Sequence, residues 1–309
     1  MSCMLIDGKW DNSANQFMRD GKFLREQSQM PTDITSDTMN RLCNTPSDFV
    51  LVASSSCPWS HGATLAYVLK GWAAQMPLQL AGGPRVEGYA LLPNGPLSGD
   101  TGRHLHQFYT QSIADFTGRA TVPLLWDVAQ ARIISNSSAD IIAALNHGPT
   151  GPDLFPEAIK TEIEALVQTI FDGLSNAVYR AGLAERQDEY DAAVDTVFAT
   201  MDMLDARLSG RAFLFGRDIT AADIRLFASL VRFDTVYATH FRCSRKRLVD
   251  YEALWRFTRR IYQMPGIRET VDFDEIRFGY YGNDGSHNPF GIIGQQPEID
   301  WLDTARISV

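Results

Sequence analysis

The pattern of apolar and polar positions divides the chain into a mixed first part and a helical second part. Phe49–Ala53 is a short continuous apolar run, typical of a buried strand, and the apolar residues between Ala63 and Leu69 favour a helix. Strand and helix signals alternate between about residues 45 and 147, which is typical of α/β architecture. Beyond Asp153 the pattern is helical throughout.

The remaining elements follow from similar signals. They are strands at Thr121–Trp126 and Arg132–Ile134, a helix opened by Ser137–Asp140 with the apolar run Ile141–Leu145, and helices near 157–181, 187–208, 220–238 and 251–264. Residues 1 to about 44 are polar and lack sustained periodicity, so we predict an extension draped over the body of the protein.

One helix start is explicit in the sequence. Thr220 is a suitable N-cap with the acidic Asp223 three positions later, and Ile219 and Ile224 occupy the positions of a hydrophobic staple. We predict a role in folding for this motif and for Asp223.

Length and charge limit the possible functions. A chain of 309 residues is long enough for two domains, and we place an extension at 1–44, an α/β domain at 45–150 and an all-helical domain at 151–309. The formal charge of −9 argues against nucleic-acid binding, which needs a basic face. Met1–Asn12 lacks the features of a signal peptide and no run is long enough to span a bilayer, so we predict a cytoplasmic protein that does not engage a membrane.

The cysteines and histidines do not form a recognisable metal site. The four cysteines, which are Cys3, Cys43, Cys57 and Cys243, are scattered without the spacing of a disulfide framework or a zinc site. His104 and His106 form an isolated H-x-H pair with no third ligand nearby in sequence. We therefore predict a reducing environment and no metal.

Cys57 lies where the predicted first strand meets the predicted helix. Pro58 suits the first helical position, and the N–H groups of a helix N-terminus favour the thiolate form of a cysteine placed there. A dithiol oxidoreductase would carry a second cysteine at position 60, where this chain has Ser60. A mixed disulfide at Cys57 must then be resolved by an external thiol, most simply glutathione.

Pro123 marks a second functional position. A proline entering a strand cannot donate to the ladder, so we expect it at an edge or a bulge, and a cis bond before it would be a deliberate feature. The backbone of Val122 would then face outward and pair with an extended peptide ligand such as glutathione.

These segments carry a resemblance to a known family. Cys57–His61, Gly118–Asp127 and Ile134–Ser138 resemble the thioredoxin-fold half of the xi-class glutathione transferases, the glutathionyl-hydroquinone reductases. The second half is similar nearly in register at Asn176–Gly182, Thr220–Phe227, Val231–Phe241, Tyr262–Gly266 and Asn288–Gly291. The resemblance covers about residues 20 to 295. It implies an α/β thioredoxin-like, glutathione-binding domain followed by an all-α glutathione-transferase domain for acceptor binding and dimerisation.

The resemblance also implies a reaction. It is the glutathione-dependent reduction of a glutathionyl-hydroquinone or a related aromatic or α-carbonyl conjugate, with glutathione as co-substrate and oxidised glutathione as product. Cys57 matches the nucleophile, Tyr179 the tyrosine that donates a proton to the aromatic ring carbon, and Tyr237 and Tyr280 two tyrosines that hydrogen-bond the cysteine. The family also implies a homodimer.

The positions that the resemblance assigns to glutathione binding belong to the first domain. They are Tyr89, Arg119, Thr121, Val122, Ser137 and Ser138. Tyr89 stands where the family has a tryptophan, and a helix N-terminus at Ser137 and Ser138 suits the carboxylate of the γ-glutamyl group.

The sequence departs from the family pattern beside the thiol. Gly62 replaces an arginine, Ser137 replaces a glutamate, and Met30–Asp33 replaces an aromatic segment. These changes indicate a divergent substrate or weaker glutathione affinity.

Two alternatives stay open. One is a transferase or β-ether-cleaving enzyme that acts on an aromatic substrate, and the other is a non-enzymatic ligand-binding scaffold. A cysteine at position 57 argues against the first, because conjugating transferases usually activate glutathione with serine or tyrosine. A scaffold would be expected to lose the thiol.

Overall fold

The computed structural model describes residues 4–12, 18–25, 28–97, 103–285 and 287–303. The chain forms two compact units, each assembled from three separate segments. Unit 1 takes its described residues from Met1–Gln16, Arg25–Gly151 and Asp274–Gly294, and unit 2 takes them from Phe17–Leu24, Pro152–Phe273 and Gln295–Val309. The domain boundaries at 44 and 150 stay a prediction.

The elements are numbered in chain order. The strands are β1 (Met4–Ile6), β2 (Lys9–Asp11), β3 (Met18–Arg19), β4 (Lys22–Phe23), β5 (Phe49–Ala53), β6 (Leu78–Gly82), β7 (Ala90–Leu91), β8 (Gly118–Arg119), β9 (Leu124–Asp127) and β10 (Arg132–Ser135). The helices are α1 (Ser36–Asn44), α2 (Pro58–Leu69), α3 (His106–Ser112), α4 (Ser138–Leu145), α5 (Lys160–Ile170), α6 (Ala177–Gly182), α7 (Gln187–Leu208), α8 (Ala221–Leu230), α9 (Glu252–Tyr262) and α10 (Phe273–Arg277). None of the helices in the described residues is long and apolar enough to cross a membrane.

The main sheet of unit 1 has the strand order β10-β9-β5-β6-β7. β5 and β6 are parallel and are connected through α2, whereas β9 and β10 run antiparallel to their neighbours. α2 and α4 pack together. This is the thioredoxin-like arrangement, and it confirms the predicted α/β class. All five residues of β5 are buried, because α3 contributes Phe108 and Tyr109 to the core beside Val50 and Val52. A strand buried on both faces has the continuous apolar sequence from which β5 was predicted.

The polar segment before residue 45 contributes structure that the sequence pattern missed. β1 pairs with β2 and β8, and Leu5 is fully buried in the core. Helix α1 was not predicted, although Thr35 is its N-cap and accepts from the Thr38 N–H at 3.2 Å. Arg41 of α1 donates two hydrogen bonds, of 2.6 and 3.2 Å, to the buried carboxylate of Asp127 on β9. Burial alone would raise the pKa of Asp127, but the bonds from Arg41 and from the Gln130 N–H outweigh it and lower that pKa.

Unit 2 is mainly helical, with the β3–β4 hairpin beside α6. Helix α7 has the predicted bounds, 187–208. The predicted continuous helices at 157–181 and 220–238 are wrong in detail, because π-helical turns at Phe171–Ser175 and Phe233–Tyr237 interrupt them. In the first turn the Asn176 N–H donates to the carbonyl of Phe171, five residues earlier, at 2.8 Å. Sequence periodicity does not reveal such an extra residue.

The predicted start of α8 is confirmed. Thr220 and Asp223 form a capping box, in which the Thr220 N–H donates to the Asp223 carboxylate at 2.8 Å. The other carboxylate oxygen accepts from the Leu214 N–H at 2.8 Å. Burial nevertheless raises the pKa of Asp223 to about 6.

This pKa gives Asp223 a defined pH signature. The folded protein binds the carboxyl proton more tightly than the unfolded chain does, so the contribution of Asp223 to stability is greatest below its unfolded pKa and falls as the pH rises through the folded pKa. Relative to Asp223→Asn, the free energy of unfolding of the wild-type protein should fall by roughly 2 kcal/mol between about pH 4 and 6. Urea unfolding of both proteins at pH 4, 5, 6 and 7 measures this, and a difference that does not change with pH would contradict it.

Candidate active site

Cys57 is the N-cap residue of α2, as the sequence predicted. Its N–H donates to the Ser54 carbonyl at 3.1 Å, and its own carbonyl accepts from the His61 N–H at 2.9 Å. Pro58 is the first helical residue, and the Cys57 side chain makes no capping hydrogen bond. The residue is partly exposed. The end of a buried strand and the start of a helix thus hold a thiol that reagents can reach.

The carbonyl of Val122 lies next to this thiol. Cys57 Sγ is 3.6 Å from the Val122 carbonyl oxygen, and the Val122–Pro123 bond is cis. The cis bond agrees with the expectation from the sequence, but Pro123 lies neither at a sheet edge nor at a bulge of β9, because it precedes that strand and β9 lies between β10 and β5. The proline is tolerated because it immediately precedes Leu124, the first paired residue of β9.

Ser60 occupies the position at which a dithiol enzyme has its second cysteine. It is fully buried, and its hydroxyl has no hydrogen-bond partner among the described residues. Cys43 is exposed on α1, and Cys243 is buried in unit 2, where burial raises its pKa to about 12. Cys3 lies outside the described residues. Cys57 is therefore the cysteine of the described chain that combines exposure with a helix start.

Three residues that sequence reasoning missed hold the turn before Cys57. Ser56 Oγ accepts from the Arg85 guanidinium at 3.2 Å, and the Arg85 N–H donates to Asn283 Oδ1 at 2.8 Å. A Cβ atom on Gly279 would lie 2.2 Å from Ser56 Cβ, so only glycine permits this contact. The π-helical turn Phe278–Gly282, which contains Tyr280, therefore packs directly against the residue that precedes Cys57. No local pattern links positions so distant in sequence.

The predicted glutathione-binding residues lie in unit 1 but differ in accessibility. Ser137 is the N-cap of α4, where its Oγ accepts from the Asp140 N–H at 3.3 Å, and Ser138 is the first residue of that helix. Arg119 ends β8, and the backbone of Thr121 hydrogen-bonds with the Tyr109 hydroxyl. Tyr89, by contrast, packs in the apolar core with the Arg85 guanidinium 4.3 Å above its ring.

Tyr179 and Tyr237 come together in unit 2. Their ring centroids are 6.2 Å apart, and both rings contact Phe241, at 5.2 and 5.6 Å. Tyr237 is fully buried, whereas Tyr179 is half-buried. A Cβ on Gly182 would lie 2.2 Å from Phe241 Cγ, so this glycine admits the phenylalanine that fixes both tyrosine rings.

The described residues contain no group of three or more histidine, cysteine or acidic side chains placed to hold a metal ion. His104 and His106 stack at 5.7 Å, and His106 Nε2 lies 3.1 Å from the Glu87 carboxylate.

Comparisons with known proteins agree with this geometry. Residues 187–260 match the glutathione S-transferase C-terminal domain. The chain is 38% identical to the glutathionyl-hydroquinone reductase YqjG of Escherichia coli K12, over 97% of this chain and 95% of that protein. It is 33% identical to the glutathionyl-hydroquinone reductase PcpF of Sphingobium chlorophenolicum, over 95% and 96%.

Solved structures are similar over almost the whole chain. The glutathione-bound structure of YqjG from Escherichia coli has a TM-score of 0.82 at 36% identity and covers 97% of both chains. The xi-class glutathione transferase of Natrialba magadii has a TM-score of 0.87 at 30% identity and covers 97% of this chain and 95% of its own.

The contact at Gly279 can be tested directly. Gly279→Ala should displace Ser56 or the turn that carries Tyr280, which we expect to change the alkylation rate of Cys57 and to destabilise the protein by about 1–3 kcal/mol. Gly285→Ala is the matched control, because a Cβ there meets no atom within 4 Å. Site-resolved mass spectrometry after iodoacetamide treatment gives the rate. Equal rates in the two variants would show that the contact does not influence the thiol.

Proposed function

Because this chain belongs to the glutathionyl-hydroquinone reductase family of xi-class glutathione transferases, we propose that it removes glutathione from glutathionyl-hydroquinones or related aromatic or α-carbonyl conjugates. The observation that carries this proposal is the accessible Cys57 at the start of α2, with a buried serine at position 60. A single accessible thiol can form a mixed disulfide with the substrate, which an external thiol then resolves.

The reaction has two steps. The Cys57 thiolate attacks the sulfur of the conjugate, so an S–S bond forms, the aryl C–S bond breaks, and the electron pair passes to the ring carbon, which takes up a proton. A glutathione thiolate then attacks the glutathionyl sulfur of the mixed disulfide. Oxidised glutathione leaves and the Cys57 thiolate is regenerated, so each cycle converts one conjugate and one glutathione into hydroquinone and oxidised glutathione.

Tyr179 is our candidate proton donor to the ring carbon. Breaking an aryl C–S bond requires protonation of that carbon, and a phenol held in a fixed orientation is a suitable general acid. The half-buried position of Tyr179 against Phe241 and Tyr237 supports this role. For Tyr280 we propose a role beside Cys57, which the contact between Gly279 and Ser56 supports. For Tyr237 full burial favours a supporting role, in which it fixes the neighbouring ring.

Glutathione would lie along Val122 with its γ-glutamyl end at the start of α4. The Val122 carbonyl beside Cys57 suits pairing with the cysteinyl backbone of glutathione, and Ser138 with the α4 N–H groups suits its carboxylate. Arg119 and Thr121 lie shortly before Val122 in the sequence. The burial of Tyr89 beneath Arg85 favours an indirect role for that residue.

The location and assembly of the protein stay predictions. We propose a cytoplasmic homodimer, on the strength of the family and of the scattered free cysteines. The alternative of a conjugating transferase is less favoured, because the reactive position holds a cysteine.

Cys57→Ser should abolish reduction of glutathionyl-menadiol, because serine keeps the size of the side chain but cannot form the mixed disulfide. Release of oxidised glutathione measures the rate, and circular dichroism checks that helix content is unchanged. Cys43→Ser is the control, since Cys43 is the other exposed cysteine among the described residues and should not be needed.

Mass spectrometry adds a second test of the same proposal. Treatment with oxidised glutathione should give an adduct at Cys57 that Cys43→Ser retains and Cys57→Ser loses. Full activity of Cys57→Ser would refute the proposed mechanism.

Tyr179→Phe should lower turnover by about 10²-fold or more while changing the Kd for glutathione by less than about twofold, because its hydroxyl acts on the acceptor. Tyr262→Phe is the control, since Tyr262 belongs to a separate aromatic cluster with Phe273 and Trp301. Steady-state kinetics and calorimetric titration with glutathione separate the two effects. Parallel losses of turnover and binding would make Tyr179 a binding residue instead.

A further inference from the structure

The hydroxyl of Tyr109 on α3 is fully buried and fully hydrogen-bonded. It donates to the Thr121 carbonyl at 2.8 Å, and it accepts from the Thr121 N–H at 3.0 Å and from Asn136 Nδ2 at 2.9 Å. A hydroxyl has one proton and two lone pairs, so these three bonds use its whole capacity. The ring is held by Phe116, at 5.2 Å between centroids.

Thr121 depends on this side chain for its backbone bonds. Residues 120–123 lie between β8 and β9 and belong to neither strand. Backbone N–H and C=O groups outside a ladder need another partner where water does not reach them, and at the half-buried Thr121 the Tyr109 hydroxyl serves both groups. The next residue, Val122, carries the carbonyl that lies beside Cys57.

Asn136 connects the same hydroxyl to α4. It is buried, and besides donating to Tyr109 its side-chain oxygen accepts from Ser28 Oγ at 2.9 Å. The next residue is Ser137, the N-cap of α4. The Tyr109 hydroxyl therefore joins Thr121, the residue before Val122, to Asn136, the residue before the N-cap of α4, and a longer bond of 3.4 Å from Asn136 Nδ2 to Thr121 Oγ1 accompanies it.

We propose that Tyr109 is a positioning residue, which fixes the spacing between the Val122 backbone and the N-terminus of α4 so that both ends of glutathione are bound at once. This inference rests on the proposed function, which places the cysteinyl backbone of glutathione at Val122 and its γ-glutamyl group at α4. Tyr109 itself contacts neither substrate nor thiol in this role. Two sites on separate loops bind one ligand tightly only when their spacing is fixed beforehand.

The neutral state of the phenol suits this role. Burial raises the pKa of Tyr109, although its hydrogen bonds with Thr121 and Asn136 oppose the shift. The hydroxyl therefore keeps its proton and goes on donating to the Thr121 carbonyl throughout the physiological pH range.

Tyr109→Phe tests the proposal, because it keeps the ring and removes only the hydroxyl. We expect the Kd and the KM for reduced glutathione to rise by about tenfold, while kcat at saturating glutathione falls by less than about threefold. Tyr67→Phe is the matched control. Tyr67 is also a buried tyrosine of unit 1, and its hydroxyl donates to the Met76 carbonyl at 2.6 Å. Its loss should lower the melting temperature but leave the Kd and KM within about twofold of the wild-type values.

Calorimetric binding of reduced glutathione decides the outcome and does not depend on turnover. Equal Kd values for Tyr109→Phe and Tyr67→Phe would overturn the inference, whereas failure of the wild-type protein to reduce conjugates would count against the proposed function alone. If Tyr109→Phe does not fold, Asn136→Ala provides the same test. That variant removes the Asn136 hydrogen bonds to Tyr109, Thr121 Oγ1 and Ser28, but it keeps the bonds between Tyr109 and the Thr121 backbone. It should raise the Kd by about threefold, and an unchanged Kd would overturn the inference.

Discussion

The burial of β5 on both faces is the constraint on which the rest of unit 1 depends. α3 contributes core residues beside Val50 and Val52, and β6 and β9 occupy both edges of the strand. The end of β5 at Ala53 is therefore fixed, and a short turn leads to the first residue of α2. Cys57 owes its position to this turn, in which Ser54 accepts from the Cys57 N–H. The thiol stays reachable because it lies just beyond the last buried strand residue.

The sequence predicted those elements whose local pattern of residues matches their environment in the folded protein. β5, the start of α2, the bounds of α7 and the capping box at Thr220 all follow from apolar runs, proline placement and capping residues. The contact of α1 with Asp127 joins positions far apart in sequence, and no local pattern reveals it. Arg85 and Gly279 were missed for the same reason, since each acts on Ser56 through a contact that only the folded chain creates.

Three π-helical turns lie at or near the tyrosines of the proposed site. Tyr237 ends the π-helical turn Phe233–Tyr237, Tyr280 lies inside the turn Phe278–Gly282, and Tyr179 follows the turn Phe171–Ser175. A π-helical turn adds one residue to a helix and rotates the side chains after it to another face, and such turns are frequent at functional sites. Two of the three turns interrupt helices that were predicted as regular, at 157–181 and 220–238, because the local geometry differs from the one that the pattern assumes. The roles of these tyrosines came from the resemblance of their motifs and not from periodicity.

The serine at position 60 determines which thiol can resolve a mixed disulfide at Cys57. In a dithiol enzyme the second cysteine closes a disulfide within the protein, and an external reductant must then open it. Here position 60 holds a buried serine, whose hydroxyl cannot attack the mixed disulfide as a thiol would. In the proposed mechanism, the glutathionyl adduct on Cys57 is therefore released by a second glutathione. Because that step needs glutathione placed beside Cys57, the proposed enzyme depends on the Val122 loop for its affinity for glutathione and on the Cys57 sulfur for its turnover.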